Sequence, residues 1–369
     1  MPSYRKFGIN PLLIHIVTGK EISEIPVSPS GTSLPGNYGK VISKRMSKLK
    51  MTKIKNSYTL MCNNCGRKGK YDLGRIVIDL EYYRKNSSQQ IKETEEDSTG
   101  MEGFQFSGYF RCHHCNAAGQ WSLPNVTKTM LQIAVIGGTL GARAGMNKES
   151  IAFGKQTLAD GSSFCFVTDA EEHYLGILLQ EPNNAWIWNR LGNAYYKGDR
   201  QDLAVVAYEQ SLKYDPAQME SHYSLGRILY EHGEMEAAAS HLRRMLLTAR
   251  SYDRLDPIDF RNILARGLHI LLDIFDDAEK LFDFIPKANE FGDTNSEMNY
   301  NKQVPVYLDL DLDLSTFEGF YPIAEMYMGE RRTELAVSKQ TLILPGKKQG
   351  QVIHPKKKKP PKKKAKKRH

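Results

Sequence analysis

The sequence predicts an α+β multidomain chain. A β-rich module built on paired cysteines comes first, then an α-helical repeat solenoid, a small C-terminal β segment and a disordered basic tail. Three observations carry that expectation. Four of the five cysteines fall in two C-x-x-C pairs, Cys62 with Cys65 and Cys112 with Cys115. Residues 185–252 repeat at a period of 34. From Lys347 onward the chain holds 12 Lys/Arg and no acid. With 369 residues, 40% of them apolar and 25% charged, there is room for two or three domains with cores of their own, and wholesale disorder is excluded.

In chain order, residues 1–57 read as a basic, mostly extended segment. Pro26, Pro29, Gly31, Pro35, Gly36 and Gly39 punctuate it too often for long elements, and residues 12–17 suit one short strand. Residues 58–125 are rich in β-branched and aromatic residues, with strands expected at 58–61, 70–83, 108–111 and 120–123. Within them, residues 85–103 are polar, acidic and nearly without large apolar side chains, the composition of a flexible insert. Residues 126–167 form a linker region. Its stretch 127–136 fits a short helix or a strand, and its glycine-rich run 137–145 matches neither the dinucleotide fingerprint nor the phosphate loop. Residues 168–285 have helical periodicity, 286–345 return to β character, and 346–369 are low-complexity Lys/Pro.

The repeat has a physical pattern. Trp188, Leu191, Gly192, Tyr195, Ala204, Tyr208 and Pro216 are followed 34 residues later by Leu225, Gly226, Leu229, Ala238 and Leu242 at the matching positions. Ala170, Tyr174 and Pro182 stand 34 residues before Ala204, Tyr208 and Pro216, so a half-unit leads the array. Small residues let paired helices approach, large ones fill the spaces between units, and the prolines end the second helix of each. This spacing resembles the tetratricopeptide (TPR) repeat. The resemblance implies a concave groove lined by the first helix of each unit, with Asn189, Asn193, Tyr196, Lys197, Tyr223, Arg227 and Tyr230 facing a protein partner, either a helix or an extended peptide. Asn193 matches one position of the family's carboxylate-clamp subset, but Asn189 replaces its Lys and Ser224 replaces a second Asn.

In a reducing compartment, two C-x-x-C pairs read as metal ligands before disulfides. The module resembles a zinc ribbon over about residues 58–123, which implies a structural Zn²⁺ held by Cys62, Cys65, Cys112 and Cys115. The 46 residues between Cys65 and Cys112 exceed the usual spacing, and the insert accounts for much of the excess. His113 and His114 lie inside the second pair, where solvation suits them better than ligation. A redox dithiol is the rival, and it calls for a C-x-x-C opening a helix in a βαβ context. Cys165, between Phe164 and Phe166, reads as a small buried hydrophobe.

The formal charge of +9 is divided unevenly: residues 1–70 carry +11, residues 71–346 carry −14, and the rest of the positive charge is in the tail. Lys356, Lys357, Lys358, Lys359, Lys362, Lys363, Lys364, Lys366, Lys367 and Arg368, broken by prolines, suit sequence-independent contact with nucleic acid or a ribonucleoprotein. No secretory signal and no run of apolar residues long enough for a membrane span is read, so a cytoplasmic protein is expected, or a nuclear one in a nucleated cell. Residues 306–314 alternate leucines with Asp309, Asp311 and Asp313, the pattern of a half-buried strand with a solvated acidic face. These features together predict a TPR adaptor with a structural zinc site, resembling bacterial TPR proteins of this build. That resemblance implies no reaction. The alternatives are a metal-dependent nuclease using the three aspartates and a regulator whose zinc ribbon reads DNA.

Overall fold

The computed structural model describes residues 8–46, 56–86, 101, 103–119, 121–139, 151–291 and 312–342. Helix α1 (Pro11–Thr18) opens the described chain. Asn10 accepts the N–H of Leu12 at 3.0 Å, Pro11 occupies the first turn, and Gly19 ends the helix at φ 70°. These start and stop signals outweigh the β-branched run at 12–17, which is a helix and not the expected strand. Helix α2 (Gly39–Met46) follows and buries Ile42. The segment 1–57 is therefore not mostly extended where it is described. Both helices add apolar side chains, Leu13 and Ile42 among them, to the same core as the helical repeats.

Strands β1 (Ser57–Cys62) and β2 (Lys68–Asp72) form an antiparallel hairpin in which Thr59 stands opposite Lys70. Next come β3 (Ile76–Ile78), α3 (Leu80–Asn86), β4 (Phe104–Phe106), β5 (Trp121–Ser122), α4 (Asn125–Thr139) and β6 (Ile151–Phe153). Two three-stranded sheets result, ordered β2-β1-β5 and β4-β3-β6. Cys62 stands opposite Trp121 across β1 and β5, and β6 runs parallel to β3 with Ala152 opposite Val77. Three expectations change here. The strand expected at 70–83 is split among the end of β2, β3 and the first turn of α3. The span 126–167 is more than a linker, since it supplies a helix and a sheet strand. Residues 108–111 are extended but form no named strand, because Gly108 and Tyr109 give their N–H groups to Leu73 O and Gly198 O. Between the sheets Tyr71, Phe106, Phe110, Trp121 and Phe166 make an aromatic core, with Cys62 and Cys112 at its edge.

The repeats are α5 (Val167–Gln180), α6 (Ala185–Lys197), α7 (Gln201–Tyr214), α8 (Met219–Glu231) and α9 (Met235–Thr248). A Cβ on Gly192 would lie 2.5 Å from the Tyr208 ring, and one on Gly226 would lie 2.8 Å from Leu242, so these glycines set how closely the paired helices approach. Pro182 and Pro216 follow the ends of α5 and α7, as expected. Helix α10 (Pro257–Phe275) packs on α8 and α9, and α11 (Ala278–Phe284) and α12 (Tyr321–Tyr327) close this end over a second core. No helix among the described residues is long and apolar enough to cross a membrane.

The β segment expected at 286–345 is a further correction: its described residues, 286–291 and 312–342, hold no strand but short helical turns and α12. A buried ion pair explains the helical preference. Arg261 on α10 meets Glu325 at 3.0 Å, and Glu325 also accepts the N–H groups of Thr341 and Leu342, so the chain is turned back on α12 and not extended along a sheet.

One contact across the fold gives a pH dependence. Glu209 on α7 accepts the N–H groups of Asn37 (2.9 Å) and Tyr38 (3.3 Å), just before α2. Burial raises its carboxyl to about 7 against the pull of those bonds. A carboxyl raised on folding binds its proton more tightly in the native state. Its contribution is therefore full below the unfolded value of about 4.3 and is lost as pH rises through the folded value. The melting temperature should fall between about pH 4 and pH 7 by a component that Glu209→Gln removes. An unchanged pH profile in that variant would assign the effect to other groups.

Candidate metal centre and concave face

The two cysteine pairs adopt one local geometry. Cys62 N–H donates to Arg67 O at 3.0 Å and Gly66 N–H to Cys62 O at 2.8 Å; in the second pair Cys112 N–H donates to Ala117 O and Asn116 N–H to Cys112 O, both at 2.9 Å. The residue after each second cysteine is left-handed, Gly66 at φ 70° and Asn116 at φ 58°, a conformation that Gly and Asn accept most readily. The aromatic core brings the two turns together. Cys62 Sγ lies 3.7 Å from Cys115 Sγ, Cys65 Sγ lies 3.7 Å from Cys112 Sγ, and all four sulfurs lie within 4.8 Å of one another. A tetrahedron with metal–sulfur bonds of about 2.3 Å has edges of about 3.8 Å, so the set is positioned to hold a metal ion.

Electrostatics favour the same occupant. Burial, with the neighbouring thiols, pushes Cys62 up to about 12. Desolvation would also raise Cys115, yet hydrogen bonds from the Asn64 amide and Ala117 N–H draw it down to about 6. Four thiolates so close repel one another unless a cation sits among them, and binding that cation expels protons. His114 N–H donates to Cys112 Sγ at 3.4 Å. Arg67, Lys68 and Lys70 are exposed beside the first turn, with Arg67 3.2 Å from His114 Nδ1; their charge offsets that of a tetrathiolate centre. His113 packs its ring on Tyr71 at 4.4 Å, and both histidines are exposed. Neither pair opens a helix, as a redox dithiol would require. Cys165, expected to be buried, is partly exposed. Among the described residues the cysteines are the one cluster of three or more potential ligands.

The concave face is less uniform than its sequence pattern. Asn193, Tyr196, Lys197 and Arg227 line one cavity of about 470 Å³. Asn189 does not: it is fully buried, donating to Ser221 Oγ at 2.8 Å and accepting from Arg190 Nε at 3.1 Å. Tyr223 lies largely buried beneath Arg227, and Tyr230 is turned toward α10, its hydroxyl 3.3 Å from Asp273. Two groups were missed by the periodicity. Arg190, one residue from the expected face, reaches the cavity by stacking over Trp186 at 3.8 Å. Residues 156–159 and Phe164 supply a wall that lies outside the repeat pattern altogether.

Asp309 and Asp311 lie outside the described residues. Asp313 is exposed in a turn, not on a strand, and its carboxylate accepts the N–H of Ser315 at 3.1 Å. The basic tail, 346–369, also lies outside the described residues, as do 87–100 of the expected insert.

The metal reading sets a measurable outcome. Elemental analysis of purified protein should give about one ion per chain, as a four-thiolate site implies. Cys62→Ser or Cys112→Ser should release it and open residues 58–123 to protease. Acidification should also release it, because protons compete for the sulfurs. Unchanged protease resistance in a metal-free chain would contradict the assignment.

Comparison with known proteins adds one match. Residues 192–233, from the middle of α6 to the turn after α8, match the family model of the TPR repeat. No curated protein matches the chain. The chain thus carries a TPR repeat in its helical half and, in its β-rich half, four cysteines placed to hold a metal ion.

Proposed function

We propose that this protein is a non-enzymatic adaptor. Its four cysteines hold a structural Zn²⁺, its concave repeat face binds a protein partner, and its basic ends contact nucleic acid or a ribonucleoprotein. The observation that carries the reading is the cavity between α5, α6 and α8, where a TPR-like face presents Lys197 and Arg227 to a ligand. The four-thiolate geometry supports Zn²⁺, whose tetrahedral preference needs no other donor and which, once closed in by four sulfurs, has no position for substrate. The case for nucleic acid rests on the sequence alone: 12 cationic residues in the tail and none of opposite sign, next to a body that carries −14 over residues 71–346.

The test is affinity capture with the full-length chain at low and high salt, with and without nuclease treatment. A groove partner should survive salt and nuclease and be lost in the Lys197→Glu, Arg227→Glu double variant. Nucleic acid should be lost at high salt and on truncation before Lys347. Its affinity should fall with salt at a log–log slope of about −0.9 per duplex phosphate engaged. Capture unaffected by either change would remove both parts of the proposal.

A further inference from the structure

The leading half-unit of the array has no first helix. Ala170 and Tyr174 on α5 hold the positions that Ala204 and Tyr208 hold one period later on α7. In the complete unit that face is covered by α6, with the Tyr208 ring against Gly192. On α5 a hairpin stands in the helix's place. Leu158 N–H donates to Ser162 O at 2.8 Å, Thr157 bridges to Ser163, and Gly161 at φ 84° makes the turn. The Gln105 side chain fixes the hairpin's base by bonding the backbone of Gln156 on both its polar atoms and Phe164 O at 2.9 Å. A hairpin is thinner than a helix, so it leaves space unfilled: Leu158, Phe164, Ala170 and Tyr174 wall one side of the 470 Å³ cavity.

The other side is cationic. Arg190, Lys197 and Arg227 line the cavity, and among the described residues no carboxylate does. Arg190 is already engaged by Asn189 and Glu220. Arg227 differs: its guanidinium lies 4.1 Å from the Tyr196 ring and 5.4 Å from that of Tyr223, and its Nε–H is buried without a hydrogen-bond partner. Its nearest carboxylate, Glu231, stands off at 3.9 Å and is occupied by the Tyr196 hydroxyl and the Gln201 amide. Stacking thus fixes the guanidinium with donors unspent beside an apolar wall, a preorganised arrangement for a carboxylate carried next to an apolar group.

We infer that this cavity recognises an acidic residue adjacent to a large apolar residue in a partner peptide, with Arg227 binding the carboxylate and Leu158, Phe164 and Tyr174 receiving the apolar side chain. The inference rests on the proposed protein-binding role of the concave face and names the chemistry of its partner. The charge complementarity is local to the groove, so it does not depend on the basic tail.

The test is selection of a phage-displayed random dodecapeptide library on the full-length chain in about 0.3 M salt, which screens contacts to the basic ends of the chain. Enriched peptides are then resynthesised and titrated by fluorescence anisotropy. They should share an Asp or Glu beside Leu, Ile, Phe, Tyr or Trp. Changing that acid to its amide, and Arg227→Met in the protein, should each weaken binding by about tenfold or more. The peptide change leaves the protein intact, so the claim stays testable even where Arg227→Met unfolds. Enrichment of peptides without an acid, or indifference to the acid-to-amide change or to Arg227→Met in a folded variant, would overturn the inference and leave a groove of other specificity. No enrichment at all would overturn the groove reading with it.

Discussion

Glu171 has no exposed surface, yet four elements meet on its carboxylate or on the groups that bind it. Arg111 reaches one oxygen at 2.5 Å, Tyr195 donates to the other at 2.8 Å, and Tyr109 donates to both. Arg111 belongs to the cysteine module, one residue before Cys112, and its Nε–H is spent on Asn116 O at 2.9 Å. Asn116 in turn donates to Ile9 O and Val27 O in the N-terminal segment. Arg200, over the Tyr109 ring, pairs with Asp202 and donates to Gly8 O at 2.6 Å. A charge buried this deeply costs several kcal/mol unless it is paired and its remaining lone pairs are filled, and here both conditions are met. Removing one partner of such a pair typically costs about 3–5 kcal/mol, so the helical repeats, the cysteine module and the N-terminal segment depend on each other through this network.

This dependence carries into both candidate sites. Asn116 supplies the left-handed turn of the second cysteine pair and also anchors two backbone carbonyls of the N-terminal segment, so metal-site geometry and N-terminal packing are not independent. Tyr109 N–H donates to Gly198 O at the end of α6, which ties the module to the helix that carries Lys197 at the cavity. The hairpin walling that cavity is held by Gln105 on β4, a strand of the module. The surface of that cavity is therefore assembled from both halves of the chain.

What the sequence made legible follows from the range of the interactions involved. The glycines at 192 and 226, the prolines at 182 and 216 and the C-x-x-C pairs act through local spacing, and each could be read directly. The spacing between the pairs exceeded the usual range, but the structure brings all four sulfurs together because the aromatic core packs Cys62 and Cys112 on one edge. What could not be read was decided at long range. Residues 12–17 look like a strand until the Asn-Pro start and the Gly stop are weighed. Residues 317–342 look extended until Arg261, more than fifty positions earlier, is seen to pair with Glu325. Asn189 shares the helical phase of the groove residues, and only its bond to Ser221 on the next unit shows that it is buried. Arg111 and Glu171 are ordinary charged residues in the sequence; no periodicity marks them as partners.

A buried ion pair should hold the cysteine module and the helical repeats as one cooperative body. Thermal unfolding followed at once by metal release to a chromophoric chelator and by helical ellipticity tests this most directly, because the first probe reports the cysteine module and the second is dominated by α5 to α12, which hold most of the described helix. The two transitions should coincide in the native chain, as two-state behaviour requires, and should separate in Glu171→Gln. Two well-separated transitions in the native chain, unaltered by Glu171→Gln, would show the halves to be independent and contradict the account.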